Sequence, residues 1–195
     1  MQLMIIGVFV FLGVHLIPLL APRWRERQIA RFGEKPWKGL FALVALAGLV
    51  LLCWGFGRAR QLPLALYVSP PAMAHVTALF TLIAFVLVAA AYVPRNHFKS
   101  ALAQPMLLGV VVWASGHLLA TGMLYDVVLF GAFLSWALLM ALALRQRERL
   151  MGVRHAAGTL RGDALAVVAG CVAWAIVAFW LHRWLIGVDP IAMTH

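Results

Sequence analysis

Charge is scarce in this chain. Only 11% of its 195 residues are Asp, Glu, Lys or Arg, and six are acidic. A typical soluble domain carries about 25% charged and about 45–50% apolar residues. Here 65% are hydrophobic, which excludes an ordinary soluble fold. Cysteine is nearly missing too. Cys53 and Cys171 each lie inside an apolar run, without CxxC or metal-ligand spacing, so they read as buried free thiols. Internal repeats, low-complexity tracts and long linkers are absent, and residues 1–195 read as a single domain. The apolar runs also lack carboxylates, with Asp126 expected at a turn and Asp189 after the last run. A proton- or cation-coupled transporter would want such groups within the membrane.

What remains is a series of apolar runs near 2–21, 37–56, 72–93, 105–122, 126–144 and 164–187. About 20 apolar residues cross a bilayer as helix, and lipid compels continuous internal hydrogen bonding. The fold class is therefore all-α, a polytopic membrane protein with a six-helix transmembrane bundle. Pro22, Pro70-Pro71, Pro94 and Pro105 punctuate the runs where helices must start or stop. The first run has no preceding Lys or Arg, and Leu20-Ala21-Pro22 makes a poor cleavage site. It reads as a retained helix.

The net charge of +10 would suggest nucleic acid in a soluble protein, but the basic residues sit in loops. Arg23, Arg25, Arg27, Arg31, Lys35, Lys38, Arg95, Lys99, Arg145, Arg147, Arg149, Arg154 and Arg161 fall in three loops that six spans place on one face. Only Arg58, Arg60 and Arg183 lie opposite. Positive-inside logic makes the crowded face cytoplasmic, with both termini periplasmic. The expected partners are membrane lipids, not nucleic acid, and orientation alone accounts for the basic clusters.

Four histidines fall within the runs. His75 and His182 lie near interfaces, where snorkelling accounts for them, while His97, His155 and His195 read as solvated loop or tail residues. His15 and His117 have no charged neighbour in sequence. By helical rise His15 lies roughly 20 Å from the outer face and His117 roughly 18 Å from the inner one, depths that overlap within about 10 Å. An ionisable group at such depth is a functional candidate. Two histidines without Cys or carboxylate partners do not make a structural zinc site, whereas haem iron needs only axial ligands. The alternative is a structural role, each ring bonded to a helix neighbour. Small residues around His117, in Trp113-Ala-Ser-Gly-His117, leave room for a bulky group to approach. Trp113 lies one helical turn before His117 and has the better claim to the site among the intramembrane tryptophans Trp113, Trp136 and Trp174. For the other two, core packing is the simpler reading.

The segments Gly13-Val-His15-Leu, Gly33-Glu34-Lys35-Pro36-Trp37-Lys38-Gly39-Leu40, Pro105-Met-Leu-Leu-Gly109-Val-Val-Val-Trp113-Ala-Ser-Gly-His117-Leu-Leu-Ala and Leu129-Phe130-Gly131 resemble the NnrU family across nearly the whole chain. The resemblance implies a bacterial inner-membrane protein associated with denitrification. It also implies kinship with the plant 15-cis-zeta-carotene isomerase, whose two haem b ligands correspond here to His15 and His117. A haem b cofactor and a redox-dependent isomerase-type activity on an isoprenoid or carotenoid-like ligand follow as expectations. A non-catalytic accessory role in nitrogen-oxide respiration is the alternative. One departure stands out: Ala103-Gln104-Pro105 occupies the place of an Arg-His-Pro element that related membrane methyltransferases use for S-adenosylmethionine. Gln104 argues against a methyltransferase and leaves His15 and His117 intact.

Overall fold

The computed structural model describes residues 1–190 and is helical throughout its regular elements. Its helices are α1 (Gln2–Leu20), α2 (Pro22–Phe32), α3 (Glu34–Ala59), α4 (Met73–Tyr92), α5 (His97–Leu102), α6 (Pro105–Ala120), α7 (Leu124–Leu150) and α8 (Leu160–Ile176). A π-helical turn, Val177–Leu181, carries α8 into a short α9 (His182–Ile186). Among the described residues, five helical stretches are long and apolar enough to cross a membrane. The sixth expected span, α6, has 16 residues. At about 1.5 Å per residue it rises some 24 Å, less than the roughly 30 Å of a hydrocarbon core. The all-α membrane class thus stands with five full-length spans and one shorter apolar helix.

The chain divides into two compact units, one comprising Met1–Leu66 with Met123–Ala132, the other Tyr67–Gly122 with Phe133 onward. In the first unit α1 and α3 pack antiparallel at backbone contact. Gly55 meets Met4, Gly7 meets Leu52 and Gly48 meets Phe11, so partners step down α3 as they step up α1. Small residues at such crossings let two backbones approach, which is how helices gain packing in a solvent as apolar as themselves. In the second unit α4 packs against both α6 and α8. A Cβ placed on Gly170 of α8 would lie 2.5 Å from the Cα of Val86 on α4. The Trp174 indole N–H donates to Thr81 Oγ1 at 3.0 Å, adding a polar tie between the same helices. Trp174 is thus a packing residue with a bonded polar tip. Trp174→Phe should cost about 1 kcal/mol or less, the usual size of an interhelical bond in membranes, read as a lower unfolding midpoint in detergent.

Large apolar side chains face outward along the spans: Phe9 is 75% exposed, Leu142 67% and Trp184 79%. Lipid covers such surfaces in a membrane protein. The same fact corrects the expectation for the thiols. Cys53 and Cys171 are free and exposed at the protein surface, because an apolar run in a bilayer is apolar on its lipid side as well. The carboxylate expectation is corrected too. Helix α7 starts at Leu124, so Asp126 sits in its first turn, 7% exposed, where the helix N-terminus favours a negative charge.

Two features were not anticipated. The arginine-rich stretch after Ala21 is a helix, with Pro22 at its first position and Gly33 (φ +89°) ending it. The loop before α8 is pinned by side chains. Thr159 caps α8 through Gly162 N–H at 3.1 Å and donates its hydroxyl to Arg95 O at 2.9 Å. Asp163 accepts from both the backbone and the Nδ1 of His97, each at 2.7 Å. His97, expected to be merely solvated, therefore ties α5 to the start of α8. His195 lies outside the described residues.

Candidate functional site

His15 lies in the first unit, five residues before the end of α1, with Pro18 following inside the same helix. Its ring is half-buried. The Nδ1–H donates to the carbonyl of Phe11, one turn back, at 2.6 Å. Phe11 tilts against the imidazole at 4.6 Å between centroids, and Phe41 of α3 meets it edge-on at 5.1 Å.

His117 lies in the second unit with Trp113. Its Nδ1–H donates to the carbonyl of Trp113, again one turn back, at 2.9 Å. The Trp113 ring stands 5.2 Å from the imidazole and packs edge-on against Phe133 at 5.6 Å. Trp113 thus supplies both the acceptor and an aromatic neighbour of His117, as their shared helical face predicts.

The two histidines share one protonation logic. A carbonyl oxygen only accepts, so the ring nitrogen facing it must bring the proton. Each neutral ring then carries its lone pair on Nε2. A histidine whose other nitrogen donates to a backbone carbonyl is oriented and electronically prepared as a metal ligand. Among the described residues no group of three or more His, Cys, Asp or Glu could hold a metal ion by itself. Porphyrin iron takes only one or two donors from a protein, and a single imidazole of this kind is such a donor.

His117 lies 12 residues after Pro105, as the run 105–122 implied, and because α6 ends at Ala120 it occupies the last helical turn. The final carbonyls of that turn are satisfied from the segment between α3 and α4: Tyr67 O–H reaches the carbonyls of Leu118 and Thr121, and Ser69 O–H that of Leu119. These hydroxyls serve as a C-terminal cap, meeting carbonyls that the helix itself leaves without donors. Thr121 Oγ1 donates in turn to the His117 carbonyl at 3.0 Å. The small residue beside the imidazole also has another use. Gly116 is buried, and an added Cβ would come 2.8 Å from Phe80 Cβ on α4, while its carbonyl lies 2.6 Å from Thr77 Oγ1. Its smallness admits α4. Sequence reasoning missed Tyr67, Ser69 and Thr77, although each is a hydroxyl at the edge of, or within, an apolar run.

Among the other histidines, His182 donates from Nδ1 to the carbonyl of Val188 at 2.8 Å, so its polar atom is bonded locally, and His75 is exposed. Gln104 occupies a partly buried polar cluster. Its Nε2 donates to Glu148 Oε1 at 2.6 Å, and His155 Nε2 lies 3.3 Å from the other oxygen of the same carboxylate. Glu148 therefore joins the start of α6 to the loop after α7. Glu148→Ala should free that loop, and limited proteolysis should show faster cleavage between Met151 and Gly158 than in the unaltered protein.

Compared with known protein families, residues 3–190 match the model described as NnrU protein. No curated protein and no solved structure matches the chain.

Proposed function

The chain belongs to the NnrU family, and from that premise we propose that it is a multi-pass haem b protein in which His15 and His117 would hold the haem iron. The observation that carries this reading is the matched pair of Nδ1–carbonyl bonds, to Phe11 and to Trp113, which sets both rings in the tautomer with the lone pair on Nε2. Within its own unit each imidazole has aromatic neighbours, Phe11 and Phe41 beside His15 and Trp113 and Phe133 beside His117, and apolar neighbours of this kind suit a porphyrin. When bound, haem would supply a redox-active iron whose affinity for an axial imidazole changes with oxidation state. The work of the chain is to hold each imidazole in place, fix its proton on Nδ1, and exclude water with apolar neighbours. An isoprenoid or carotenoid-like substrate suits those surroundings, and isomerisation about a polyene double bond is the activity proposed.

With α6 counted as a sixth, shorter crossing, the proposed orientation is that of an inner-membrane protein with both termini periplasmic. Thirteen of the sixteen basic residues then share the cytoplasmic face. Residues 1–195 act as one functional domain in this reading. The test is a pyridine haemochrome assay on protein purified from haem-replete cells, expected to give close to one haem b per chain. Conversion of a cis-polyene should appear only under reducing conditions.

The second reading is a non-catalytic accessory role in nitrogen-oxide respiration. The same two hydrogen bonds are compatible with it, since a carbonyl one turn back also satisfies a structural histidine within a helix. A deletion strain that reduces nitrite and nitric oxide normally would remove it. A methyltransferase is disfavoured, because Gln104 is neutral and its amide is engaged by Glu148.

A further inference from the structure

We propose that the outer face of α2 is a docking surface for anionic phospholipid headgroups. This goes beyond the haem reading and does not depend on it. Helix α2 begins two residues after α1 ends and stops two residues before α3 begins. Both of its ends are therefore tied to membrane-crossing helices, which confines its eleven residues to the level where those helices leave the bilayer.

Arg23, Arg27 and Arg31 recur at every fourth position, so their guanidinium groups form one row along the helix. All three are exposed, and none is ion-paired among the described residues. Trp24 and Phe32 are also exposed, at 43% and 58%, beside that row. Pro22, Arg25, Gln28 and Ile29 are the half-buried positions, and the edge contact of Trp24 with Trp37, 5.5 Å between centroids, fixes α2 onto the start of α3. The Arg31 guanidinium lies 5.2 Å from the Phe32 ring.

Each component suits a phosphate-bearing membrane surface. Planar guanidinium forks match phosphate oxygens in pairs, and exposed Trp and Phe beside a cationic row settle at headgroup depth. An acidic protein segment would match the arginines but leave the aromatic pair in water. Orientation during insertion accounts for basic residues on this face, but it does not require them in a helical row flanked by aromatics.

The test uses the whole protein in nanodiscs of phosphatidylcholine containing a minority of brominated lipid. Trp24 emission is taken as the difference between the unaltered protein and Trp24→Phe. Brominated phosphatidylglycerol should quench Trp24 about threefold more than brominated phosphatidylcholine at equal mole fraction. The combined change Arg23→Gln, Arg27→Gln, Arg31→Gln should bring the two to equality, whereas the three Arg→Lys changes, which keep the charge but lose the paired guanidinium contacts, should keep only part of the preference. Inorganic phosphate added to the buffer should not relieve the quenching. Equal quenching by both lipids in the unaltered protein, or a preference that survives the Gln changes, overturns the proposal. Relief by inorganic phosphate overturns it in favour of a free-anion site.

Discussion

On the proposed haem reading, His15→Ala or His117→Ala should each lower the Soret absorbance per chain of the purified protein tenfold or more. Each change deletes the Nε2 donor and, with it, the Nδ1–H bond to Phe11 or Trp113. On that reading, iron held by two imidazoles would lose half its protein ligands on either substitution. Neither residue belongs to the fully buried core, so the helices should survive the change, and circular dichroism should stay close to that of the unaltered protein. Structural histidines give the opposite pattern, with a lower unfolding midpoint and no change in any bound pigment. Added imidazole offers a further discriminator. It should restore part of the Soret band to the His117→Ala protein by entering the vacated volume as a ligand, whereas it has no reason to rescue stability.

Gly55→Leu should badly damage the fold of the first unit, as should Gly7→Leu across the same crossing. A Cβ at Gly55 would fall on the backbone of Met4, in the part of the α1–α3 crossing where main chains touch. Backbone cannot move aside as a side-chain end can, so the helices must separate or slide. Overpacking of this kind costs typically 1–3 kcal/mol and occasionally more, and a contact between two main chains belongs at the upper end. The measurement is the unfolding midpoint in detergent, together with haem retention, since His15 rides on the displaced α1. Gly57 provides the control two residues away on α3. Nothing lies within 4 Å of its Cβ direction, so Gly57→Ala should be neutral or stabilising by up to about 1 kcal/mol through helix propensity. Equal damage from the two substitutions would show that glycine content, rather than the crossing, governs the loss.

The crossing helices were readable in advance because lipid leaves the backbone only one option, and their ends fall at Pro and Gly positions. His15 and His117 were readable because an imidazole among so many apolar residues is chemically out of place. Their tautomer was not. It depends on which ring nitrogen meets the carbonyls of Phe11 and Trp113, a matter of rotamer that sequence does not carry. Helix α2 was overlooked because its arginines look like a loop. The recurrence of Arg23, Arg27 and Arg31 was the signal that could have revealed it. The early end of α6 and the Gln104–Glu148–His155 cluster depend on residues far apart in the chain, so no local pattern announces them. The burial of Cys53 and Cys171 was misread for a different reason. Hydrophobicity marks the interior of a soluble protein, but in a bilayer it marks the outside equally well.

The most direct test of the haem reading is the absorption spectrum of the unaltered protein purified from haem-replete cells, oxidised and then reduced with dithionite. Two axial imidazoles give low-spin iron, so a sharp Soret band and resolved α and β bands in the reduced form are expected. Stable, correctly folded protein with a featureless visible spectrum would contradict the assignment of His15 and His117 as haem ligands.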